Sequence, residues 1–257
     1  MRRFHAERPG MMPAAFARGG TYHRLAALVP AGARVLDLGA GDGYLCGLLA
    51  ARGARAIGVD FSHEELARFG GRCAGGAAAL ARAQALPFAD GSFDACVSHL
   101  AFMLMEDAPA VVAELGRVLA PGGWFFAVLG GGPVADADER TDGLHRFLAI
   151  ARPRLGSPGL GDPRARSEAG WRGLFAGWTE VGWARWEVDL GGSLDEVWGF
   201  LGSTYNLARE DVEAVRPAVA AGLSELAEDG RVPCRLVTWL GTARRPTGER
   251  WPGTQDP

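Results

Sequence analysis

Asp37, Gly39, Ala40 and Gly41 sit where an apolar run, Val35-Leu36-Asp37-Leu38, gives way to glycine. After Gly43 a second apolar set follows, with Leu45, Leu48 and Leu49 on one helical face. Such a loop handles ligands with its main chain. Glycine lets backbone approach a ligand closely, and the next helix offers free N–H groups. Asp60 ends another short run, Ala56-Ile57-Gly58-Val59, where a carboxylate can take up ribose hydroxyls. The loop is not the dinucleotide-binding G-x-G-x-x-G. Its third glycine would fall on Tyr44, and that motif gives the acid Asp37 no role.

The elements that must position these residues alternate. Residues 34–38, 56–60 and 93–98 predict strands, with a weaker one over 77–81 and another over 124–129. Ser62 with Glu65 reads as a capping box, so a helix starts at His63. Val111, Leu115, Val118 and Leu119 make one apolar stripe over 107–119, with Glu114 and Arg117 off it. Pro121-Gly122-Gly123 stops that helix. Strands alternating with helices predict a parallel sheet covered on both faces. Beyond residue 130 the pattern loosens. A helix is expected over 144–152, and strands over 180–190 and 234–241. Ser193 with Glu196 opens another helix, and residues 207–229 read as helical with a break at Pro217.

Composition narrows the function. The net charge of −3 argues against a protein built to neutralise nucleic-acid phosphates. The chain has no Lys, which excludes a Walker A lysine and Schiff-base chemistry. Cys46, Cys73, Cys96 and Cys234 form no CxxC pair, and no Cys/His set suggests a metal site. No stretch is apolar for long enough to span a bilayer. A cytoplasmic protein with reduced thiols, away from nucleic acid and membrane, is expected.

Four segments together resemble the class I S-adenosylmethionine-dependent methyltransferases, of the ubiquinone/menaquinone C-methyltransferase and trans-aconitate methyltransferase type. They are the Asp37–Gly43 loop, Gly58-Val59-Asp60-Phe61-Ser62, Leu86-Pro87-Phe88-Ala89-Asp90-Gly91-Ser92-Phe93-Asp94, and Arg117-Val118-Leu119-Ala120-Pro121-Gly122-Gly123. The resemblance covers residues 31–130. It implies a Rossmann-like α/β fold: a seven-stranded, mostly parallel sheet with an antiparallel last strand and a helical cap. It divides the chain into a leader (1–30), a methyltransferase domain (31–243) with inserted cap segments at about 131–178 and 191–233, and a tail (244–257). The implied partner is a small-molecule acceptor, with the chain a monomer or homodimer.

The same resemblance assigns S-adenosyl-L-methionine as cofactor. Gly39, Ala40 and Gly41 would pass under its methionine part, with Asp37 facing the ammonium group. Asp60, followed by Phe61, would take the ribose hydroxyls. Ala83 would offer its backbone N–H to the adenine, and Ser98 would lie close by. The family usually carries an Asp at the position of Arg82, and Gln84 is the candidate replacement.

Methyl transfer from a sulfonium is an in-line displacement that positioning alone can drive, so a general base is optional. His99 and Tyr205 are the candidate catalytic residues. His99 follows the fourth strand and is either a base or a structural ring. Tyr205 lies in the segment that caps the acceptor pocket in relatives. Phe102, Met103 and Met105 read as pocket wall or core, and Tyr22 and His23 as a closure from the leader. Trp171, Trp178, Trp183, Trp186 and Trp198 read as core or as an aromatic pocket. Arg152, Arg154, Arg164, Arg166 and Arg172 read as a solvated loop or an anion-attracting cluster.

Overall fold

The sheet follows from the strand runs. In the computed structural model, residues 11–73, 76–156, 159–204 and 209–248 are described. Strand β1 (Arg34–Leu38) pairs in parallel with β2 (Arg55–Asp60), and β2 with the edge strand β3 (Ala77–Leu80). On the other side β1 pairs with β4 (Phe93–His99), and β4 with β5 (Leu119–Pro133), also in parallel. Strand β7 (Arg235–Arg244) runs antiparallel between β5 and β6 (Thr179–Asp189). The seven strands take the order β3-β2-β1-β4-β5-β7-β6.

Side chains on a strand alternate between faces, and the two cores follow that alternation. Val35, Val97, Phe126 and Val128 belong to one core. It also holds Phe16, Leu25, Leu45, Leu49, Phe147, Val197 and Val219. Leu36, Leu38, Cys96, Phe125, Ala127 and Leu129 belong to the other, with Phe102, Val111, Leu115, Trp171 and Phe175. Helices α1 (Met11–Arg18), α2 (Thr21–Ala26), α3 (Tyr44–Ala51) and α6 (Gly143–Ala151) thus serve the first face. Helices α5 (Ala108–Val118) and α7 (Glu168–Leu174) serve the second. Helix α4 (His63–Arg72) packs Phe69 against Ala40 and Cys46 beside the glycine loop.

Three local expectations are corrected. The helix ends at Val118, where Leu119 turns extended, and Pro121-Gly122-Gly123 lies inside the strand that follows. β5 begins at Leu119, and its pairing with β4 slips between Phe93↔Leu119 and Ala95↔Trp124. Gly122 takes φ +77° there, and its carbonyl accepts from Arg244 Nε at 2.9 Å. Pro217 breaks nothing. Helix α9 (Arg209–Ser224) runs through it, because Val212, Val215, Val219 and Leu223 bury one face at helical spacing and outweigh the lost backbone bond. The last strand continues to Arg244, and Arg245 still bonds Gly123, so the ordered chain extends into the expected tail.

The β6–β7 connection leaves and re-enters the sheet at the carboxyl end of the parallel strands. Val188 and Pro133 both pair with Leu236, at the end of β5 and the start of β7. Helix α8 (Leu194–Leu201) opens with the complete Ser193/Glu196 capping box and packs Phe200 on Phe16, ring centroids 5.7 Å apart. Helix α9 packs along α6.

Candidate active site

The carboxyl ends of β1 and β2 bring the predicted loop residues together. Gly39 and Ala40 both donate their N–H to the Val59 carbonyl, at 2.8 and 2.9 Å. Gly41 donates its N–H to Asp60 Oδ2 at 3.0 Å, and Asp60 Oδ1 accepts from Ser62 N–H at 2.9 Å. The acid at the end of β2 therefore shapes the loop at the end of β1. Gly39 is required twice over. Its φ is +76°, and a Cβ there would collide with Ala101, in the segment after β4. Phe61 is half-buried between Asp60 and the helix cap Ser62, whose Oγ accepts from Glu65 N–H.

Asp37 is buried, and its Oδ2 has no hydrogen-bond partner among the described residues. Burial pushes its carboxyl up to about 7. The Cys46 thiol, hydrogen-bonded to it, pulls the other way, and the nearby Asp60 and Asp42 carboxylates add to the rise. Asp42 is paired with Arg72 Nε at 2.9 Å. A cation arriving at Asp37 would satisfy an oxygen that the fold leaves bare.

Ala83 and Gln84 lie on the turn after β3. The turn starts beside Asp60, whose carbonyl accepts from Ala81 N–H at 3.0 Å. Ala83 is buried and Arg82 exposed. Gln84 Nε2 donates to the Glu106 carbonyl at 2.5 Å, which leaves its Oε1 as the accepting end. Ser98 is fully buried. Its hydroxyl donates to the Leu38 carbonyl at 2.8 Å and accepts from Phe102 N–H at 3.1 Å, fixing the strand end.

His99 is held by the leader. Its Nε2 lies 2.8 Å from Thr21 Oγ1, its ring stacks on Tyr22 at 3.7 Å between centroids, and Phe16 meets it edge-on. Burial lowers its pKa to about 3, so it is neutral at physiological pH. This surrounding favours the structural ring over the base. Tyr22 also meets Tyr44, the first residue after the glycine loop, while His23 faces solvent. Tyr205 lies outside the described residues.

The remaining candidates disperse. Trp171 stacks with Phe125 in the second core and donates to the Thr242 carbonyl. Trp178 and Trp183 join the same core, whereas Trp186 and Trp198 belong to the first. Arg154, Arg164 and Arg172 pair with Asp211, Asp162 and Glu168. Arg166 donates to the Met103 and Leu160 carbonyls. Met103 is buried in the second core, and its Sδ accepts from Gly130 N–H, so of wall and core it is core. His145 bonds the Val134 carbonyl.

Sequence reasoning missed Thr21 and Asp142. Buried Asp142 caps α6 through Leu144 and His145 N–H and accepts from Arg235 N–H at 2.7 Å, tying the first cap segment to β7. Its position just before a helix with apolar spacing was the available signal.

A family model described as a methyltransferase domain matches residues 36–127, the stretch that holds the glycine loop at the end of β1 and the acid at the end of β2. Residues 36–127 are similar to a methyltransferase domain. The chain is 38% identical over 137 residues to a malonyl-[acyl-carrier protein] O-methyltransferase of Methylococcus capsulatus, covering 49% of this chain and 50% of that one. It spans between 37% and 51% of the length of curated relatives such as this. In fold it is similar to a protein of Anaeromyxobacter dehalogenans provisionally named a type II methyltransferase. The TM-score is 0.65 at 22% identity, over 89% of this chain and 97% of that one. It is also similar to geranyl diphosphate C-methyltransferase from Streptomyces coelicolor, solved with Mg2+, geranyl diphosphate and S-adenosyl-L-homocysteine. There the TM-score is 0.53 at 17% identity, over 91% of this chain and 84% of that one. The matched stretch carries the glycine loop, Asp60, Ala83, Gln84, Ser98 and His99.

Proposed function

We propose that the protein transfers a methyl group from S-adenosyl-L-methionine to a small-molecule acceptor. The observation that carries this reading is the bare Oδ2 of Asp37, buried beside the glycine loop in a stretch similar to a methyltransferase domain. An α-ammonium group is the partner that such an oxygen lacks. Asp60, at the end of the neighbouring strand, has the chemistry for ribose hydroxyls, and the Ala83 N–H that for an adenine ring nitrogen. The acid pair and the glycine loop therefore fit the cofactor's charge and shape.

When bound, the cofactor supplies a methyl group already activated on a sulfonium. The chain's task is then to bind, orient and keep water out. Asp37 would hold the ammonium end of the cofactor, Asp60 the ribose in its middle and the Ala83 N–H the adenine end. Tyr22, stacked on His99 and touching Tyr44, closes the loop's side toward the leader. Neutral His99, with Nε2 engaged by Thr21, serves as a fixed wall in this reading, so the acceptor's nucleophile must not depend on proton removal by that ring. A small acceptor is favoured because Arg154, Arg164 and Arg172 are paired with Asp211, Asp162 and Glu168 within the chain.

The same fold is found in a [4+2]-cyclase, so the activity has to be read from the site and measured. The test is calorimetry with S-adenosylhomocysteine, followed by transfer of labelled methyl from the cofactor into a metabolite extract. Binding of NAD without binding of S-adenosylhomocysteine would end this reading.

A further inference from the structure

Two of the four segments that carry the resemblance meet in space through one side chain. Arg117, in the last turn of α5, reaches the loop between β3 and β4 with its whole guanidinium. Its Nη1 donates to the Phe88 carbonyl at 2.6 Å and to Asp90 Oδ1 at 2.9 Å. Its Nη2 donates to the Leu86 carbonyl at 2.9 Å. Nε and Nη2 also bond both oxygens of Glu114, each at 2.8 Å. Glu114 Oε2 in turn accepts from Leu86 N–H at 2.6 Å. The Arg117 carbonyl accepts from Gly91 N–H at 3.0 Å. Both side chains are partly buried, where charge-assisted bonds of this kind hold best.

The clamped segment is the far half of the loop that carries Ala83 and Gln84. The near half is pinned by Ala81 N–H on the Asp60 carbonyl, and the tip by Gln84 Nε2 on the Glu106 carbonyl. The turn between them closes on itself, Ala85 N–H to the Arg82 carbonyl at 3.0 Å. A loop without regular structure is thereby fixed at three points: by the end of β2, by Glu106 just before the α5 cap, and by α5 itself. Nothing in the sheet itself requires Arg117 or Glu114. Their carbon stems leave the apolar stripe of α5, and among the described residues their polar ends bond each other and this loop.

Resting on the cofactor reading above, we infer that Arg117 and Glu114 are positioning residues for base recognition. They hold the 82–85 turn so that the Gln84 Oε1 accepts from the exocyclic amino group of an adenine, in place of the acid that Arg82 displaces. The amide cannot turn over to offer its NH2 there, because Nε2 is bound to a carbonyl that can only accept.

The test compares S-adenosylhomocysteine with S-inosylhomocysteine, which carries a carbonyl at the position of the amino group. The wild-type protein should bind the inosyl compound more weakly by roughly tenfold or more, about 1.4 kcal/mol, because two acceptors then face each other. In Arg117→Met that ratio should fall toward one, while the affinity for S-adenosylhomocysteine drops. Glu114→Gln keeps an acceptor for Leu86 N–H and should reduce the ratio less; it carries the test if Arg117→Met does not fold. A merely structural role would weaken both ligands alike and leave the ratio unchanged, which overturns the inference. Equal binding of the two ligands by the wild type also overturns it and leaves the cofactor reading intact. Failure of the wild type to bind either ligand removes the cofactor reading itself, and this inference with it.

Discussion

The Thr21 hydroxyl and the His99 Nε2 share a hydrogen bond of 2.8 Å across 78 residues of sequence. It joins the leader to the carboxyl end of β4, where open α/β sheets bind ligands. Thr21 is fully buried and also bonds the Phe16 carbonyl, and Tyr22 covers the ring. The leader is therefore built into the edge of the site rather than laid over it.

Thr21→Val should cost about 1–3 kcal/mol of unfolding free energy, because it leaves a buried ring nitrogen without its partner. The pH dependence follows from His99. Its folded pKa of about 3 lies below the unfolded 6.5, so the unfolded chain binds the proton more readily. Stability should fall as pH drops below about 6.5 and continue to fall toward 3. Denaturant melts at several pH values check this, and His99→Phe should flatten that part of the slope. An unchanged slope in His99→Phe would mean that the folded protein lets the ring take up its proton as readily as the unfolded chain does.

How much of this could be read from the chain depends on the range of the interaction. The glycine loop, Asp60 and the strand pair β6–β7 are legible because apolar alternation and turn residues are local signals. The Ser193/Glu196 box is likewise local, and forms in full. Pro217 misleads because a breaker counts for less than a continuous buried face. The Thr21–His99 bond and the Arg117 clamp join segments far apart in sequence, and neither has a local pattern. Glu114 and Arg117 could be seen to lie off the apolar stripe, but not what they reach.

Asp37 gives a prediction of opposite sign. Its carboxyl is raised to about 7, from an ordinary 3.8, chiefly by burial. The folded state then holds the proton more tightly, and ligand-free stability should decline as pH rises from about 4 to 7. Asp37→Asn should melt higher than wild type at pH 8 without ligand. The wild type should also gain more stability from S-adenosylhomocysteine at pH 8 than at pH 6, whereas the variant should gain little at either. Thermal melts with and without ligand decide it. A variant that melts lower than wild type at pH 8 would show that the carboxylate is well solvated.

Asp60→Ala should weaken S-adenosylhomocysteine by about 1.5–3 kcal/mol, the size of lost charge-assisted hydrogen bonds. Part of that loss comes through Gly41, whose N–H the carboxylate holds. Calorimetry measures it. An unchanged affinity would remove Asp60 from the site.

Among the described residues, no group of three or more His, Cys, Asp or Glu comes together as a metal site. In-line displacement from a sulfonium can be driven by positioning alone, and methyl transfer should proceed at the same rate in EDTA. Loss of turnover in chelator with recovery on adding magnesium would mean that the acceptor chemistry requires a cation.

Acceptor selectivity should follow the cap and cofactor affinity the sheet. The segment between β6 and β7 emerges at the carboxyl end of the parallel strands, and α8 reaches the site edge by the path Phe200, Phe16, His99. Trp198, half-buried on the same helix, packs against that core, with Arg216 lying over its ring. Among the described residues, the ring contacts of Phe200 and Trp198 run to Phe16 and Arg216. Truncating Phe200 removes a ring that supports Phe16, so the wall beside His99 can shift while the β1–β2 loops stay in place. Phe200→Ala and Trp198→Ala should therefore change the acceptor KM several-fold and leave S-adenosylhomocysteine binding within roughly 1 kcal/mol of wild type. Steady-state kinetics on the acceptor found by the labelled-methyl screen, beside calorimetry on the same preparations, separates the two effects. If both variants lose cofactor affinity and keep their acceptor KM, the cap supports the cofactor cleft and the acceptor binds elsewhere.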